Sequence, residues 1–292
     1  MRRQPPPLRA GAPIAPGYSV VEHLHRGRTL DVYDVWSEER ACRCIAKTLR
    51  PDRARDRAAG RRLEREGRLL RRLTHPHLVR GYELVAGPPP AVIMETLSGE
   101  TLAHLIEKSE DRLTPVELAH LGLQLASAIQ YLHRYRILHL DLKPANIVAE
   151  NGRAKIIDLS VARRPGHSGP GVGTWCYMAP EQVTGGELGP AADVWGIGIV
   201  LWEAAAGRPA FGGDEDDGVP SSPGAELAEE DHPQLGRPAA PIRRLRRLPA
   251  PLARAIDAAL TRTPSARPSL AALAALLEQV PEVVSPRRPR PS

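Results

Sequence analysis

Residues 139–146 are His139-Leu140-Asp141-Leu142-Lys143-Pro144-Ala145-Asn146, and residues 156–160 are Ile156-Ile157-Asp158-Leu159-Ser160. Apolar pairs adjoin both segments, and the pattern predicts that they are short buried strands: Ile137-Leu138, Ile147-Val148 and Ile156-Ile157. An Asp and a Lys two positions apart in a loop are usually a solvated surface feature. Here an Asn and a second Asp follow them, and apolar sequence flanks all four, which indicates a site.

The order Asp141, Lys143, Asn146, Asp158 resembles the catalytic and metal-binding loops of the bacterial, eukaryotic-like serine/threonine protein kinase family. That resemblance implies transfer of the γ-phosphoryl group of ATP, with Mg²⁺, to Ser or Thr hydroxyls of protein substrates. Such transfer depends mainly on positioning and charge neutralisation. The resemblance places Asp141 at the acceptor hydroxyl and Lys143 at the phosphate, with Asn146 and Asp158 as the metal ligands.

Length and composition are those of an ordinary globular protein, with 292 residues, 42% hydrophobic residues and a mean hydropathy of −0.31. The apolar stretch 194–206 is interrupted and shorter than the roughly 20 residues that cross a bilayer. The start of the chain lacks the apolar core of a signal peptide. We therefore expect a cytoplasmic protein without a membrane span. Three cysteines make neither a disulfide framework nor a four-ligand zinc site, so reduced thiols without a role are favoured.

The net charge of +6 and a pI near 9.5 permit an acidic partner. Ten arginines lie between Arg50 and Arg72. Such a run is usually a solvated helix face, and no aromatic residues interleave it, so we expect no nucleic-acid binding. Residues 212–236 are rich in Gly, Pro and acidic residues, and Arg243 to Arg247 follow. A solvated loop beside an exposed helix is the default interpretation, and substrate docking is the alternative.

The resemblance implies an α+β, two-lobed protein kinase fold with the nucleotide in the cleft between its lobes. We expect a flexible Pro- and Arg-rich tail over residues 1–17, a β-rich N-lobe over 18–95, a mainly helical C-lobe over 96–280, and a basic tail over 281–292. One helical stretch near 57–73 interrupts the β-like runs of the N-lobe. In the C-lobe, Thr114-Pro115-Val116-Glu117 predicts a capping box that opens a helix toward Arg134.

The segment Cys44-Ile45-Ala46-Lys47 resembles the family's strand whose lysine contacts the α- and β-phosphates. Glu66 shares a predicted helix face with Leu63, Leu70 and Leu73. A carboxylate on an apolar face needs a cation, so we expect Lys47 to pair with Glu66, and pairing of Glu66 with a neighbouring surface arginine is the alternative.

The phosphate-covering loop departs from the family pattern, which has three glycines. His25 and Leu30 replace two of them and only Gly27 remains, so side chains are expected to obstruct the approach of backbone amides to phosphate. The charge of Arg26 or Arg28 is expected to compensate in part. By the resemblance, the remaining nucleotide contacts come from apolar and linker residues: Leu24, Val32, Ala46, Met94, Glu95, Leu97 and Val148.

The activation segment ends in Gly173-Thr174-Trp175-Cys176-Tyr177-Met178-Ala179-Pro180-Glu181, which matches the family. By resemblance Thr174 hydrogen-bonds Asp141 and Lys143, Asp193 supports the catalytic loop, and Arg267 pairs with Glu181. Leu140 stands where the family has an arginine that meets phosphate in the activation loop. We therefore expect activity that does not depend on phosphorylation of this loop. Ser160 replaces the glycine of the metal-binding loop and is expected to favour one loop state.

Three functions remain open at this point. An active serine/threonine protein kinase is favoured because every polar residue that touches phosphate, metal and acceptor is present. A nucleotide-binding scaffold with weak or no turnover is the alternative, supported by the altered glycine loop and by Ser160. A kinase acting on a small molecule ranks last, because the segment around Thr174 favours protein substrates. The oligomeric state does not follow from the sequence.

Overall fold

The computed structural model describes residues 5–109, 111–212 and 232–280. Within them the chain forms two compact units. The first contains the residues up to Glu100 together with Asn146–Arg163, and the second contains Thr101–Ala145 and the residues from Arg164 onward. Most of the acidic stretch and the whole C-terminal basic tail, residues 213–231 and 281–292, lie outside the described residues.

An antiparallel sheet of six strands, in the order β1-β2-β3-β4-β6-β5, forms most of the first unit. Its strands are β1 (Pro13–Ala15), β2 (Tyr18–Arg26), β3 (Leu30–Ser37), β4 (Cys42–Leu49), β5 (Gly81–Val85) and β6 (Ala91–Glu95). Side chains that alternate along these strands form a buried cluster on one face: Tyr18, Val20, Tyr33, Val35, Cys44, Ala46, Ala91 and Ile93. Helix α1 (Arg57–Arg72) lies between β4 and β5 in sequence, near the predicted span 57–73.

The strand β7 (Glu100–Thr101) contains the last residue of the first unit. Strands β8 (Ile147–Glu150) and β9 (Arg153–Ile156) form a hairpin in the same unit. Asn151 and Gly152 at its turn have φ angles of 50° and 75°, the left-handed conformation that Asn-Gly adopts at low cost in two-residue hairpin turns. This hairpin follows Asn146 directly.

Two expectations differ from the structure. The tail expected through residue 17 contains strand β1, because Pro13–Ala15 adds to the edge of β2 and its apolar side chains pack against the buried cluster. Ile137-Leu138 lies outside the strands of the structure, although Leu138 is fully buried, because burial in a loop gives the same apolar pattern as burial in a strand.

The second unit is mainly helical, as expected. Its elements are α2 (Leu102–Lys108), α3 (Pro115–Arg134), β10 (Gly166–Ser168), α4 (Pro180–Thr184), β11 (Gly186–Leu188), α5 (Pro190–Ala206), α6 (Pro233–Gly236), α7 (Ala250–Ala259) and α8 (Leu270–Leu277). The predicted capping box opens α3, where the amide of Glu117 donates to Thr114 Oγ1 at 3.2 Å and the amide of Thr114 donates to Glu117 Oε2 at 2.7 Å. Helix α5 is buried from Ala192 to Ala206 and contacts α3 and α7, so it is the core of this unit.

Candidate active site

Lys47 lies in the middle of the first unit's sheet, on the same face as its cross-strand partner Val32. Its Nζ atom is 2.9 Å and 3.0 Å from the two carboxylate oxygens of Glu66, and 3.0 Å from Oδ2 of Asp158. The side chain of Lys47 is largely buried. One ammonium group therefore bridges two carboxylates, and the pairing with Glu66 holds rather than the alternative pairing with a surface arginine.

Local sequence explains why Glu66 reaches this position. Asp56 is the N-cap of helix α1, and its carboxylate accepts hydrogen bonds from the amides of Ala58 and Ala59 at 3.0 Å. Leu63, Glu66 and Leu70 follow at helical spacing and are buried on one face, where Glu66 is 0% exposed. The helix thus carries a carboxylate into the apolar interior, where Lys47 and the amide of Leu159 donate hydrogen bonds to it.

The loop that contains Asp158 is fixed by its own backbone and by α1. The amide of Ser160 donates to Asp158 Oδ1 at 2.7 Å, and the amide of Leu159 donates to Glu66 Oε1 at 3.3 Å. From the exposed face of the helix, Arg65 Nη2 donates to the carbonyl oxygen of Ser160 at 3.1 Å. The amide and the carbonyl group of Ser160 therefore both help to hold this loop, and the expected preference for one loop state stays a prediction.

Burial and charge act against each other on these groups. Burial lowers the pKa of Lys47, but the adjacent carboxylates of Glu66 and Asp158 outweigh it and raise this pKa above its usual range. Burial raises the pKa of Glu66 more than Lys47 lowers it. For Asp158 burial also acts upward, but Lys47 and Ser160 lower the pKa to about 2. Asp158 is therefore an ionised carboxylate at neutral pH.

Asn146 ends a 3₁₀ turn, Pro144–Asn146, that leads into β8. Its carbonyl oxygen accepts a hydrogen bond from the amide of Ile157 at 3.0 Å, which connects the chain at Asn146 to the residue before Asp158. Within the described residues there is no group of three or more His, Cys, Asp or Glu side chains that would hold a metal by themselves. Mg²⁺ typically binds one or two protein carboxylates and completes its shell with water and phosphate oxygens, so Asp158 and Asn146 fit that ion.

Ala46, which was expected at the nucleotide, lies on the face of the sheet opposite Lys47. Successive side chains of a strand point to opposite faces, and Ala46 pairs with Tyr33 in the buried cluster, whereas Lys47 pairs with Val32. The residue that shares the face of Lys47 is Ile45, which pairs with Met94. The alternation of side chains along a strand is sufficient to predict from the sequence that Ile45 lies on the face of Lys47.

Arg26 likewise does not compensate for the missing glycines. It pairs with Asp31 across the β2–β3 hairpin, while His25 pairs with Val32. Arg26 therefore points to the face opposite Val32, and its guanidinium binds the carboxylate of Asp31. Arg28 is exposed in the turn itself.

The other residues expected at the nucleotide all belong to the first unit. Met94 is buried in β6, and Val148 is buried in β8. The amide of Glu95 donates to the carbonyl oxygen of Arg80 at 3.0 Å. This amide is therefore already hydrogen-bonded within the protein and is not available to a ligand. Leu97 is half-buried in the linker, and Leu24 is exposed in β2.

In the second unit, Asp141, Lys143 and Thr174 come together. Thr174 Oγ1 donates to Asp141 Oδ1 at 2.7 Å and accepts from Lys143 Nζ at 2.5 Å. Lys143 Nζ also lies 3.3 Å from Asp141 Oδ2. The three side chains form a closed cycle in which a hydroxyl connects a carboxylate and an ammonium group, and this is the contact expected for Thr174.

The backbone of the catalytic loop is held by side chains from distant parts of the chain. Asp193, near the start of α5, accepts hydrogen bonds from the amides of His139 at 2.9 Å and Leu140 at 2.8 Å. The carbonyl oxygen of Leu140 accepts from Gln182 Nε2 at 2.8 Å. Leu140 has a φ of 66°, a strained conformation for a leucine that these contacts on both sides maintain. Asp193 was expected in this role and Gln182 was not.

His133 is a second contact that the sequence analysis missed. Its Nε2 atom lies 2.7 Å from Asp193 Oδ2. His133 stands in the last turn of α3, where a histidine normally suggests only helix capping. No signal within a short window connects it to Asp193, because 60 residues separate the two in sequence.

The expected ion pair between Arg267 and Glu181 is present. Arg267 Nη1 and Nη2 donate to the two carboxylate oxygens of Glu181 at 2.6 Å and 2.8 Å. The same guanidinium also donates to the carbonyl oxygens of Thr261 and Ala191, at 2.7 Å and 2.9 Å. One buried side chain thus connects the end of the activation segment to the start of α5 and to the loop after α7.

Comparison with known proteins agrees with this geometry. The protein kinase domain family matches residues 18–278, so the chain belongs to the protein kinase family. The kinase domain of PknI from Mycobacterium tuberculosis has the same fold, with a TM-score of 0.70 at 22% identity, covering 94% of this chain and 98% of that one. The two-lobed protein kinase fold class predicted from the sequence is therefore confirmed.

Two similar curated proteins are bacterial. Serine/threonine-protein kinase PkaA of Streptomyces coelicolor is 34% identical over 293 residues, which cover 92% of this chain and 51% of that protein. Serine/threonine-protein kinase PknB of Mycobacterium tuberculosis is 33% identical over 212 residues, which cover 68% of this chain and 32% of that protein. The chain thus spans about half the length of these relatives or less. In the part of the chain that the structure describes, no helix is long and apolar enough to cross a membrane.

Proposed function

We propose that this chain is an active serine/threonine protein kinase, which transfers the γ-phosphoryl group of Mg-ATP to Ser or Thr hydroxyls of protein substrates. The observation that carries the proposal is the cycle of Asp141, Lys143 and Thr174. Its carboxylate accepts the proton of the acceptor hydroxyl and its ammonium group neutralises the charge that develops on phosphate. In the free protein the hydroxyl of Thr174 occupies the hydrogen bond that an acceptor hydroxyl would make.

The first unit supplies the groups for the nucleotide. Lys47 binds phosphate oxygens, and Glu66 fixes its position through two contacts of 2.9 Å and 3.0 Å. Asp158 and Asn146 would hold Mg²⁺, which would neutralise the negative charge of the phosphate groups. Because Lys47 Nζ already lies 3.0 Å from Asp158, the cation that binds phosphate and the carboxylate that binds metal are positioned together before any ligand arrives.

Activity independent of activation-loop phosphorylation is part of the proposal. Leu140 offers no charge to a phosphate. Between Ser160 and Ala179 the aliphatic hydroxyls are Ser168 and Thr174 only. Ser168 is buried in β10, and Thr174 is engaged by Asp141 and Lys143, so neither hydroxyl is presented to another kinase. Phosphatase treatment and Ser168→Ala should leave the initial rate unchanged, whereas a rate that falls after phosphatase treatment would contradict this part.

A nucleotide-binding scaffold with weak turnover is the second candidate. The phosphate-covering loop, residues 25–32, favours the scaffold, because it contains one glycine and the family pattern contains three. Lys47, positioned by Glu66 and Asp158, would bind the phosphate groups of a nucleotide in either case.

The test is phosphate transfer from labelled ATP with Mg²⁺ to a generic basic protein, with Asp141→Asn as the matched variant. Asn keeps the size and hydrogen-bonding ability of Asp but cannot take the proton. Label on Ser or Thr should fall by about a hundredfold or more in Asp141→Asn.

Absence of label together with measurable ATP binding would support the scaffold. Label on tyrosine, or on a small molecule but no protein, would contradict the proposed acceptor class.

A further inference from the structure

The N-terminal segment lies along the main sheet of the first unit. Here the N-terminal strap denotes residues 5–15, which end in strand β1. The amide of Gly11 donates to the carbonyl oxygen of Val20 at 2.8 Å, and the amide of Val20 donates to that of Ala12 at 2.9 Å. Leu8 and Ile14 pack against the buried cluster of the sheet. The strap is therefore an integral part of the sheet and not a free tail.

Asp31 is the centre of a buried polar network beside this strap. Its side chain is 0% exposed, and both of its oxygens accept hydrogen bonds from Arg26, from Nε and from Nη2, each at 2.8 Å. Tyr33 Oη donates to Asp31 Oδ2 at 3.1 Å, and His23 Nε2 lies 3.4 Å from Oδ1. A buried carboxylate is tolerated because these donors satisfy it. Burial raises the pKa of Asp31, and the hydrogen bonds from Arg26 and Tyr33 outweigh this and lower it.

The strap completes this network with two backbone groups. Arg26 Nη1 donates to the carbonyl oxygen of Pro5 at 2.8 Å, and the amide of Leu8 donates to Tyr33 Oη at 3.1 Å. Contacts therefore run without a break from Pro5 through Arg26, Asp31 and Tyr33 to Leu8. Arg26 and Tyr33 each contact both Asp31 and the strap, so Asp31 is connected to the strap through these two side chains.

The network lies directly at the base of the phosphate-covering turn. Arg26 and Asp31 are cross-strand partners, and the turn Gly27–Leu30 lies between them and is closed by a hydrogen bond from the amide of Gly27 to the carbonyl oxygen of Leu30 at 2.8 Å. Arg50 holds the turn from its other side, since its backbone amide donates to Thr29 and its Nη1 donates to the carbonyl oxygen of Gly27 at 3.2 Å. The turn is thus anchored at its base and at its tip.

We propose that the strap, acting through Tyr33, Asp31 and Arg26, holds the Gly27–Leu30 turn in a single conformation and thereby sets the affinity for nucleotide. A loop with one glycine cannot adapt to phosphate as freely as a loop with three, so its amides must already point correctly. The strap reduces the conformational freedom that binding would otherwise remove. Tyr33, Asp31 and Arg26 are positioning residues in this proposal, which rests on the proposed nucleotide site.

Three substitutions and one control test the strap. Leu8→Pro removes the amide that donates to Tyr33, and Leu8→Ala keeps that amide while removing the same apolar contact. Tyr33→Phe removes the hydroxyl from the network and keeps the buried ring. Arg9→Ala, an exposed arginine in the same segment, is the control for nonspecific effects.

Amide hydrogen exchange of residues 27–30 and direct binding of an ATP analogue with Mg²⁺ are the readouts, followed by KM for ATP and kcat. Loss of one buried hydrogen bond should accelerate exchange in the turn and weaken nucleotide binding by about twofold to tenfold in Tyr33→Phe and Leu8→Pro. The turnover number should change by less than about twofold, because the network touches no reacting group. Leu8→Ala, which keeps the amide, should have a smaller effect on exchange and binding than Leu8→Pro, and Arg9→Ala should remain close to the parent.

Unchanged exchange at residues 27–30 in both Tyr33→Phe and Leu8→Pro would overturn the proposal. It would also be overturned if exchange increased but nucleotide affinity stayed at the parent value, because the turn would then not limit binding. If the parent protein bound no nucleotide at all, the proposed function would fail, and the exchange data would still decide whether the strap holds the turn.

Discussion

At the scale of single residues, the most consequential group is Lys47. Its ammonium group lies within 3.0 Å of both Glu66 and Asp158. Removing one partner of a buried ion pair is costly because the other charge is left without compensation. In the proposed function, stability and phosphate transfer depend on the same ammonium group, so a substitution of Lys47 alone would change both at once.

A pair of substitutions separates them. Lys47→Met should lower the free energy of unfolding by about 3–5 kcal/mol, because it leaves Glu66 buried without a cation. Lys47→Met combined with Glu66→Met should recover most of that loss, while phosphate transfer stays abolished in both variants. Urea unfolding of the parent, the two single variants and the double variant gives the coupling energy. Equal stability of Lys47→Met and the double variant would contradict the ion pair.

A second residue-scale prediction concerns Glu203 in α5. This side chain is buried, and Tyr177 Oη lies 3.4 Å from its Oε1. Burial raises the pKa of Glu203 from 4.5 to about 7, and the hydrogen bond from Tyr177 lowers it only in part. Between these two values the folded state binds the proton more tightly than the unfolded state. The contribution of Glu203 to stability is therefore full below about pH 4.5 and is lost as the pH rises through about 7.

Urea unfolding at about pH 5 and about pH 8 measures this contribution. The parent should lose up to about 3 kcal/mol more than Glu203→Gln over that interval, because Gln cannot ionise. Parallel pH profiles of the parent and the variant would show that Glu203 is not protonated in the folded state.

At the scale of elements, the seating of α1 on the sheet decides where Glu66 lies. Gly67 faces β5 and β6, and a Cβ atom there would lie 2.8 Å from Val92 Cγ2 and 3.0 Å from Leu84 Cδ1. The same helix contains Gly60, where a Cβ atom would meet nothing within 4 Å. These two glycines give a matched pair in one helix.

Gly67→Ala should push α1 away from the sheet, lengthen the contact between Lys47 and Glu66, and reduce phosphate transfer by about tenfold, since small displacements of a positioned group are costly. Gly60→Ala should keep full activity and raise stability by about 0.5–1 kcal/mol, because alanine is the better helix former. Initial rates and thermal unfolding of the two variants make the comparison. Equal rates in both variants would mean that the seating of α1 does not control the site.

At the scale of the whole molecule, each of the two compact units holds its own group of site residues. The second unit depends on Arg267, whose guanidinium joins Glu181, Ala191 and Thr261. Contacts of this kind stabilise one unit without involving the sheet of the other.

Arg267→Met should therefore destabilise the second unit selectively, by about 3 kcal/mol, since it breaks charge-assisted hydrogen bonds and leaves buried carbonyl groups unpaired. Amide exchange should accelerate in α5 and α7 and stay unchanged in β3 and β4. Arg254→Met, an exposed arginine in α7, is the control. Equal acceleration in β3 and β4 would show that the two units unfold as one.

Much of the fold and of the candidate site could be predicted from short windows of sequence. The capping box at Thr114 and the Asn-Gly turn at Asn151 depend on residues within four positions of each other. The order of Asp141, Lys143, Asn146 and Asp158 spans a longer window, residues 141–158, but it is still continuous in sequence, because one loop and the hairpin that follows it contain or directly precede these residues. Strand periodicity also predicts that Ile45, and not Ala46, shares the face of Lys47.

The sequence by itself therefore determined the protein kinase family and the approximate bounds of α1 and α3, and it predicts the polar site residues, because these depend on local hydrogen bonding and on motif spacing. Only the tertiary structure decided that His133 supports Asp193, that Gln182 holds the catalytic loop, and that the N-terminal strap joins Arg26 and Tyr33. These contacts connect residues far apart in the chain, and such pairs form only where the packed core brings their backbones together. A short window of sequence contains no signal for contacts between residues so far apart.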